Sequence, residues 1–181
     1  MLSRYPFRLL LRLIFTHLLA FSLFSAAFAQ TEPVGLLLTW QQDPTTTMTI
    51  DWHTLPSDKA KNTLNYRKDG DETWLEVYPR IQEFPHSDRS IHRVEIKDLT
   101  PGSNYEFRVG EFTRVYSFHT MPAKNDRPIR FAAGGDTSQG EMFRKMNQSA
   151  MRYNPDFIVW GGDLAYANGQ KENIAAWYQW F

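Results

Sequence analysis

The first half of the chain alternates apolar and polar residues with a period of two. In TMTIDWH, residues 47–53, Met48, Ile50 and Trp52 alternate with polar residues, which predicts a strand with one buried face and one face in water. Similar short runs follow at residues 64–67, 74–78, 93–96, 105–109 and 115–120. Asp69-Gly70, between the first two of these runs, is typical of a hairpin turn. About six or seven short strands predict an antiparallel β-sandwich.

The hydrophobic pattern changes in the last third of the chain. Residues 129–133 and 157–160 are uninterrupted apolar runs, and residues 141–153 between them repeat apolar side chains at helical spacing. Strand, helix and strand in this order predict a βαβ unit whose two strands lie parallel and are buried on both faces. We therefore expect a sandwich domain at residues 30–122, followed by the start of an α/β domain at residues 123–181.

The first 29 residues have the composition of a secretory signal. Their basic residues, which no acidic residue accompanies, are Arg4, Arg8 and Arg12. The uncharged stretch that follows ends with Ala27 and Ala29 in the A-x-A pattern, and its length of about 16 residues is short of the roughly 20 of a membrane-spanning helix. We expect residues 1–29 to be a cleaved signal peptide rather than an uncleaved anchor. The mature chain would then be secreted or periplasmic, with no membrane contact after cleavage.

Charge narrows the range of partners. The chain has 181 residues with 20 Lys and Arg against 20 Asp and Glu, and without the first 29 residues the balance is 17 against 20, a net charge of −3. A mildly acidic chain without a basic run lacks the clustered cations that bind a phosphate backbone, so nucleic acid is not expected as a partner. There is no cysteine, so disulfides give no information on the compartment. The pattern leaves the oligomeric state open.

Two aspartates follow the ends of the two predicted parallel strands. Asp136 comes after two glycines, and Asp163 after another two. Parallel strands joined by one helix end at the same sheet edge, which is where open α/β sheets bind ligands. Two carboxylates held close together repel each other unless a cation lies between them, so the pattern indicates a metal site. The residues alone also allow a second interpretation, in which each aspartate caps a following helix or loop.

The segment VEIKDLTPGSNYEFRV, residues 94–109, resembles fibronectin type III domains. The matching positions are Leu99, Pro101, Tyr105, Phe107 and Val109. At this corner a tyrosine can turn its hydroxyl back onto the upstream backbone while its ring fills the core. The histidines of the domain lack ligand-like spacing, and we expect them to be ordinary strand or loop residues: His53, His86, His92 and His119.

Around the two aspartates the sequence resembles the purple acid phosphatases, within the calcineurin-like metallophosphoesterases. The first two motifs of that family, G-D-x-G and G-D-x-x-Y, correspond to residues 135–138 and 162–166. The second motif is complete, whereas the first has Ser138 in place of glycine. The wider superfamily often has a histidine ligand at that position, and Tyr166 can replace it as a ligand. Bacterial and plant members carry a fibronectin-like sandwich ahead of the catalytic domain, which is the order predicted here.

This resemblance implies an acid phosphatase with a dinuclear metal centre. Asp136 would be a terminal ligand of the first metal, Asp163 would bridge both metals, and Tyr166 would bind the first metal as a phenolate. The first metal would be iron, since hard oxygen donors suit trivalent iron, and the second iron, zinc or manganese. The substrate would be a small phosphoester, with phosphomonoesters as the family default.

The later motifs of the family supply an asparagine and three histidines, and no histidine occurs after His119. We therefore expect the chain to be an incomplete and inactive portion of such an enzyme. The competing interpretation is a secreted, non-catalytic fibronectin-like binding module with a degenerate tail. The last segment, KENIAAWYQWF, predicts a helix without a partner surface. Its apolar face would consist of Ile174, Trp177, Tyr178 and Phe181.

Overall fold

The computed structural model describes residues 33–55, 63–110 and 114–181. These residues belong to one compact unit, so the two domains expected from the sequence lie within it. The boundary between residues 122 and 123 stays a prediction. The predicted signal peptide, residues 1–29, lies outside the described residues.

The larger part of the described chain is an antiparallel β-sandwich, as predicted. Its strands are β1 (Val34–Thr39), β2 (Met48–Thr54), β3 (Leu64–Lys68), β4 (Leu75–Val77), β5 (Arg80–Glu83), β6 (Ser90–Ile96), β7 (Asn104–Val109) and β8 (Tyr116–His119). They form two four-stranded sheets, with the orders β1-β2-β6-β5 and β4-β3-β7-β8. The predicted turn at Asp69-Gly70 joins the antiparallel pair β3 and β4. The sequence pattern does not predict β1 and β5.

The core lies between the two sheets and takes alternate residues from their strands. Its members include Ile50, Trp52, Leu64, Val94, Ile96, Leu99, Phe107 and Val109. Tyr105 confirms the predicted corner, because the backbone N–H of Thr100 donates a hydrogen bond to its hydroxyl at 2.8 Å. Its ring stacks on Phe118, with 5.3 Å between the ring centroids. One side chain thus fills the core and fixes the chain ahead of β7.

Strand β2 is buried on both faces, so the prediction of one wet face is wrong. The polar residues Thr49, Asp51 and His53 are buried along with the apolar ones. Asp51 forms an ion pair with Arg93 of β6 at 2.6 Å, and the ring of His53 lies 4.5 Å from that of Phe181. This cover comes from a neighbouring strand and from the far end of the sequence, which a local alternation cannot reveal.

The residues after the sandwich form the predicted βαβ unit. Strands β9 (Phe131–Gly134) and β10 (Phe157–Trp160) pair in parallel. Helix α1 (Glu141–Met151) connects them and ends two residues before the predicted Tyr153. The unit contacts the sandwich, since the rings of Trp40 and Phe157 meet edge to face at 5.6 Å.

The parallel strands are not buried on both faces, which corrects the prediction. Phe131 is 61% exposed and Val159 is 48% exposed. Helix α1 reaches the strands through Phe143, whose ring lies 6.2 Å from that of Trp160. On the opposite face Trp40 contacts Phe157, but Phe131 and Val159 remain largely exposed.

The final segment is helical, as predicted, but it does have a partner surface. A 3₁₀ turn (Lys171–Asn173) leads into helix α2 (Ile174–Trp180). The Tyr178 hydroxyl lies 2.5 Å from the Ser87 hydroxyl and donates to Asp88 at 3.1 Å. Helix α2 therefore packs on the sandwich. No helix within the described ranges has the length and apolar character needed to cross a bilayer.

Candidate functional site

The two aspartate-bearing loops leave the parallel strands at the same edge. Trp160 of β10 is paired with Gly134 of β9 where both strands end. Beyond that pair the loops remain joined, because the Gly161 N–H donates to the Gly134 carbonyl at 2.6 Å and the Asp136 N–H donates to the Gly162 carbonyl at 3.3 Å. The structure therefore brings the segments of Asp136 and Asp163 side by side, as expected for the ends of parallel strands.

Glycine is required at two positions of this junction. A Cβ atom at Gly135 would lie 2.6 Å from the carbonyl oxygen of Gly161, closer than real Cβ contacts allow. Gly162 has a φ of 85°, which favours a residue without Cβ. At Gly134, in contrast, an added Cβ would meet nothing within 4 Å. The close approach of the two loops thus depends on Gly135.

All three predicted ligands stand on strained backbone. Asp136, Asp163 and Tyr166 have φ values of 58°, 48° and 57°, and Ala165 has 59°. Non-glycine residues rarely adopt this left-handed region. Such strain persists only where the surrounding structure holds it, and it concentrates at functional sites. The Ala165 N–H provides one restraint by donating to the Thr137 carbonyl at 3.1 Å, which again ties the two loops together.

The predicted ligands present their side chains at the surface. Asp136 and Asp163 are exposed, and their carboxylates make no hydrogen bond or ion pair within the described ranges. Tyr166 is 40% exposed, whereas its neighbours Ala165 and Ala167 are buried. The two alanines anchor the loop, and the phenol between them stays accessible.

The alternative role of the aspartates as helix caps does not fit the structure. The residue that precedes α1 is Gly140, and the residue that precedes the 3₁₀ turn is Gln170. No side chain caps either element. Asp136 and Asp163 are therefore free for another role.

A hydrogen bond from helix α2, which the sequence pattern does not predict, supports the first loop. The indole N–H of Trp180 donates to the Thr137 hydroxyl at 3.2 Å. Trp180 is buried, and its ring lies 5.6 Å from Phe143 and 5.3 Å from Trp160. The residue that could have indicated this support is the second tryptophan of WYQW. It lies outside the apolar face that helical spacing predicts for this segment.

The donor chemistry of the site fits a hard cation in part. Two carboxylates and one phenol offer only oxygen atoms, the donors that trivalent iron prefers. The described residues contain no group of three or more His, Cys, Asp or Glu that could hold a metal ion. Asp136, Asp163 and Tyr166 could thus supply part of a ligand set, and their assignment as ligands stays a prediction.

A second charged cluster lies at the opposite ends of the parallel strands. Asp156 accepts hydrogen bonds from Arg127 at 2.7 and 3.1 Å and from the Arg130 N–H at 2.9 Å, and it lies 3.1 Å from the His119 ring. The Arg127 guanidinium holds the pKa of Asp156 well below its usual range. This cluster borders a cavity of about 540 Å³ and joins β8 to the βαβ unit. Its carboxylate is fully used by protein donors, which indicates a structural role.

Comparison with known proteins gives one consistent result. Residues 33–120 match the family described as "Purple acid Phosphatase, N-terminal domain". The chain is 28% identical over 134 residues to "Purple acid phosphatase 23" of Arabidopsis thaliana, a match that covers 70% of this chain and 28% of that protein. It is 34% identical over 80 residues to "Probable purple acid phosphatase 20" of the same plant, covering 43% of this chain and 18% of that protein. The chain therefore spans less than a third of the length of these relatives.

Proposed function

We propose that the chain is part of a purple acid phosphatase, because residues 33–120 match the N-terminal domain of that family, and that the segment after this domain contributes to a dinuclear metal site that hydrolyses phosphomonoesters. The observation that carries the proposal is the parallel pairing of β9 with β10. This pairing places the loops of Asp136 and Asp163 at one sheet edge, where both carboxylates are free of protein partners within the described ranges.

Each residue of the site has a separate role in this proposal. Asp136 and Asp163 would hold the metal ions through carboxylate oxygens, with Asp163 shared between them, and Tyr166 would bind through its phenol oxygen. Two bound ions, one of them iron, would supply the positive charge that a phosphoryl group requires when water attacks it. Gly135 lets the loops approach each other, and the hydrogen bond from Trp180 fixes the loop of Asp136.

Iron binding tests the role of Tyr166. We expect the iron-loaded enzyme that contains this sequence to show a visible phenolate-to-iron absorption, and Tyr166→Phe to lose that absorption. Tyr153→Phe is the matched control, because Tyr153 is also exposed and follows α1 rather than either loop. An absorption that persists in Tyr166→Phe would contradict the assignment.

Phosphatase activity tests the role of Asp163. In the enzyme that contains this sequence, Asp163→Asn should lose metal and hydrolysis of p-nitrophenyl phosphate together. The control is Asp126→Asn, an exposed aspartate on the linker before β9. Retention of full metal content and activity in Asp163→Asn would overturn the role of Asp163, whereas an unchanged protein that binds no metal and hydrolyses no phosphoester would favour the competing interpretation, a non-catalytic binding module.

We also propose that the protein is exported after removal of residues 1–29. The basis is the basic start and the A-x-A pattern at Ala27 and Ala29. Intact-mass measurement of exported protein should give a chain that begins at Gln30. Exported protein that retains residues 1–29 would refute this proposal.

A further inference from the structure

A cavity of about 400 Å³ lies between the start of β1 and helix α2, and within the described ranges no residue of the aspartate loops lines it. Arg89 and Arg114 line it, together with the rings of Tyr116, Tyr178 and Phe181, and no acidic residue is among its lining residues in the described ranges. The remaining wall is the apolar segment 33–36. The cavity thus combines positive charge with aromatic and aliphatic surface.

The guanidinium group of Arg89 has no polar partner within the described part of the chain. Its Nε and Nη1 atoms are enclosed and make no hydrogen bond. The group lies over the ring of Tyr178 at 3.8 Å from the centroid, a contact that satisfies none of its N–H donors. Burying a cation is costly unless an anion or hydrogen-bond acceptors compensate it, so the position lacks an expected partner.

Other arginines of the structure show what that partner should be. Arg67, Arg93 and Arg127 each contact a carboxylate at 2.6 or 2.7 Å. The carboxylate closest in sequence to Arg89 is Asp88, but it accepts a hydrogen bond from the Tyr178 hydroxyl. The acidic group that would pair with Arg89 is therefore missing from this side of the sandwich in the described residues.

The local structure holds Arg89 in this position. Its backbone N–H donates to the Ser87 hydroxyl at 2.9 Å, and Ser87 in turn lies 2.5 Å from the Tyr178 hydroxyl. The charge also acts on its surroundings, because burial and then the charge of Arg89 lower the pKa of His53 to about 4. His53 is therefore neutral near pH 7, and Arg89 is the charged group of that pair.

We propose that this cavity binds a small organic oxyanion, a phosphate or carboxylate group that accepts hydrogen bonds from Arg89 and carries an aromatic or apolar body. Guanidinium groups match both oxyanions in geometry and charge. The rings of Tyr116 and Phe181 would contact the apolar body. The larger cavity beside Asp156 is a poorer candidate, since Asp156 already neutralises Arg127 there. The proposal does not depend on the metal site.

Calorimetric titration of the chain tests the proposal, with phenyl phosphate and benzoate as the two probes. A chelator is present throughout, so that no metal at the aspartate loops can bind the probes. We expect saturable binding of one molecule per chain. The probe that binds with the higher affinity identifies the preferred oxyanion. Arg89→Gln should weaken binding by about tenfold or more, as expected for the loss of a charge-assisted hydrogen bond.

The matched control is Arg108→Gln, because Arg108 also lies over an aromatic ring, at 4.6 Å from the centroid of Trp74, but on the other sheet. Its affinity for both probes should equal that of the unchanged chain. Absence of saturable binding, or equal affinity in Arg89→Gln, would overturn the proposal.

A second measurement needs no folded variant of Arg89. In ¹⁵N-resolved spectra of arginine side chains, the Nε resonance of Arg89 should shift on addition of the bound probe. The resonance of Arg93 should not, because its Nε already donates to Asp51 at 2.9 Å. If Arg89→Gln does not fold, a saturable shift of Arg89 Nε supports the site, and an unchanged resonance contradicts it.

Discussion

Gly135 and Gly134 are adjacent residues, yet only one of them faces a backbone atom at close range. A methyl group on Gly135 would press against the Gly161 carbonyl at 2.6 Å, whereas one on Gly134 would meet nothing within 4 Å. Backbone cannot move aside as the end of a flexible side chain can. The contact between the two aspartate loops is therefore sensitive to a single carbon atom.

We expect Gly135→Ala to lower the free energy of unfolding by about 1–3 kcal/mol, the usual cost of overpacking, and to weaken iron binding. Gly134→Ala should change the free energy of unfolding by less than about 0.5 kcal/mol. Urea unfolding of both variants measures the difference. Equal effects of the two substitutions would show that the loops do not approach each other as described.

Tyr105 is a residue whose role could be predicted from sequence, because the corner depends on local spacing. Tyr105→Phe removes only the hydroxyl that accepts the Thr100 N–H. We expect a loss of about 0.5–1.5 kcal/mol in unfolding free energy, the net contribution of a typical hydrogen bond. The control is Tyr78→Phe, where the hydroxyl of an exposed ring bonds Glu76 at the surface. A similar loss in both variants would contradict the stabilising role of the Tyr105 hydroxyl at this corner.

At the scale of elements, the strands and turns that local sequence determines were predicted. Burial by residues that are distant in the chain was not. Hairpin β3–β4 and the parallel pair β9–β10 follow from turn residues and apolar runs. Strand β5 contains one apolar residue among four, and β1 contains three consecutive leucines, so neither shows alternation. The two aspartate loops could be located from their glycines and aspartates, but the hydrogen bond from Trp180 that supports the first of them could not.

Helix α2 allows a direct test of which tryptophan is buried, the one that helical spacing predicts or the one that the structure shows. Helical spacing places Trp177 on the apolar face, whereas the structure buries Trp180. We expect Trp180→Ala to cost about 3–5 kcal/mol of unfolding free energy, as large-to-small changes of a buried aromatic do. Trp177→Ala should cost clearly less, because the side chain of Trp177 is only half-buried. A larger loss for Trp177→Ala would favour the face predicted from spacing.

For the molecule as a whole, the sandwich and the βαβ unit share contacts, and the sandwich still has its own core. We expect residues 30–122 to unfold cooperatively when expressed alone, since the core between the two sheets is complete without α2. They should be less stable than the whole chain, because His53 would lose the cover of Phe181. Thermal melting followed by circular dichroism measures both properties. A broad, non-cooperative transition would show that the boundary at residue 122 is wrong.

The stability of the whole chain should depend on pH through His53. Burial is the main cause that lowers its pKa from 6.5 to about 4, followed by the charge of Arg89. The unfolded chain therefore binds the proton first as the pH falls, and stability decreases from about pH 6.5 down to about pH 4. The slope should not exceed about 1.4 kcal/mol per pH unit.

Urea unfolding between pH 4 and pH 7 measures this dependence, and His53→Phe should reduce its slope, leaving the part that comes from His92, whose pKa burial also lowers. His86→Asn is the control, because His86 is exposed and its φ of 60° suits asparagine. An unchanged pH profile in His53→Phe would assign the dependence to other groups.

The contact between Trp180 and Thr137 also gives the protein an intrinsic optical reporter. The indole of Trp180 bonds the residue next to Asp136, so its emission should respond when that loop changes its environment. Paramagnetic iron quenches tryptophan emission over short distances, and Trp160 lies only 5.3 Å from Trp180 between ring centroids. If iron binds these loops as proposed, fluorescence of the unlabelled protein would report its loading in real time, without a dye and without turnover.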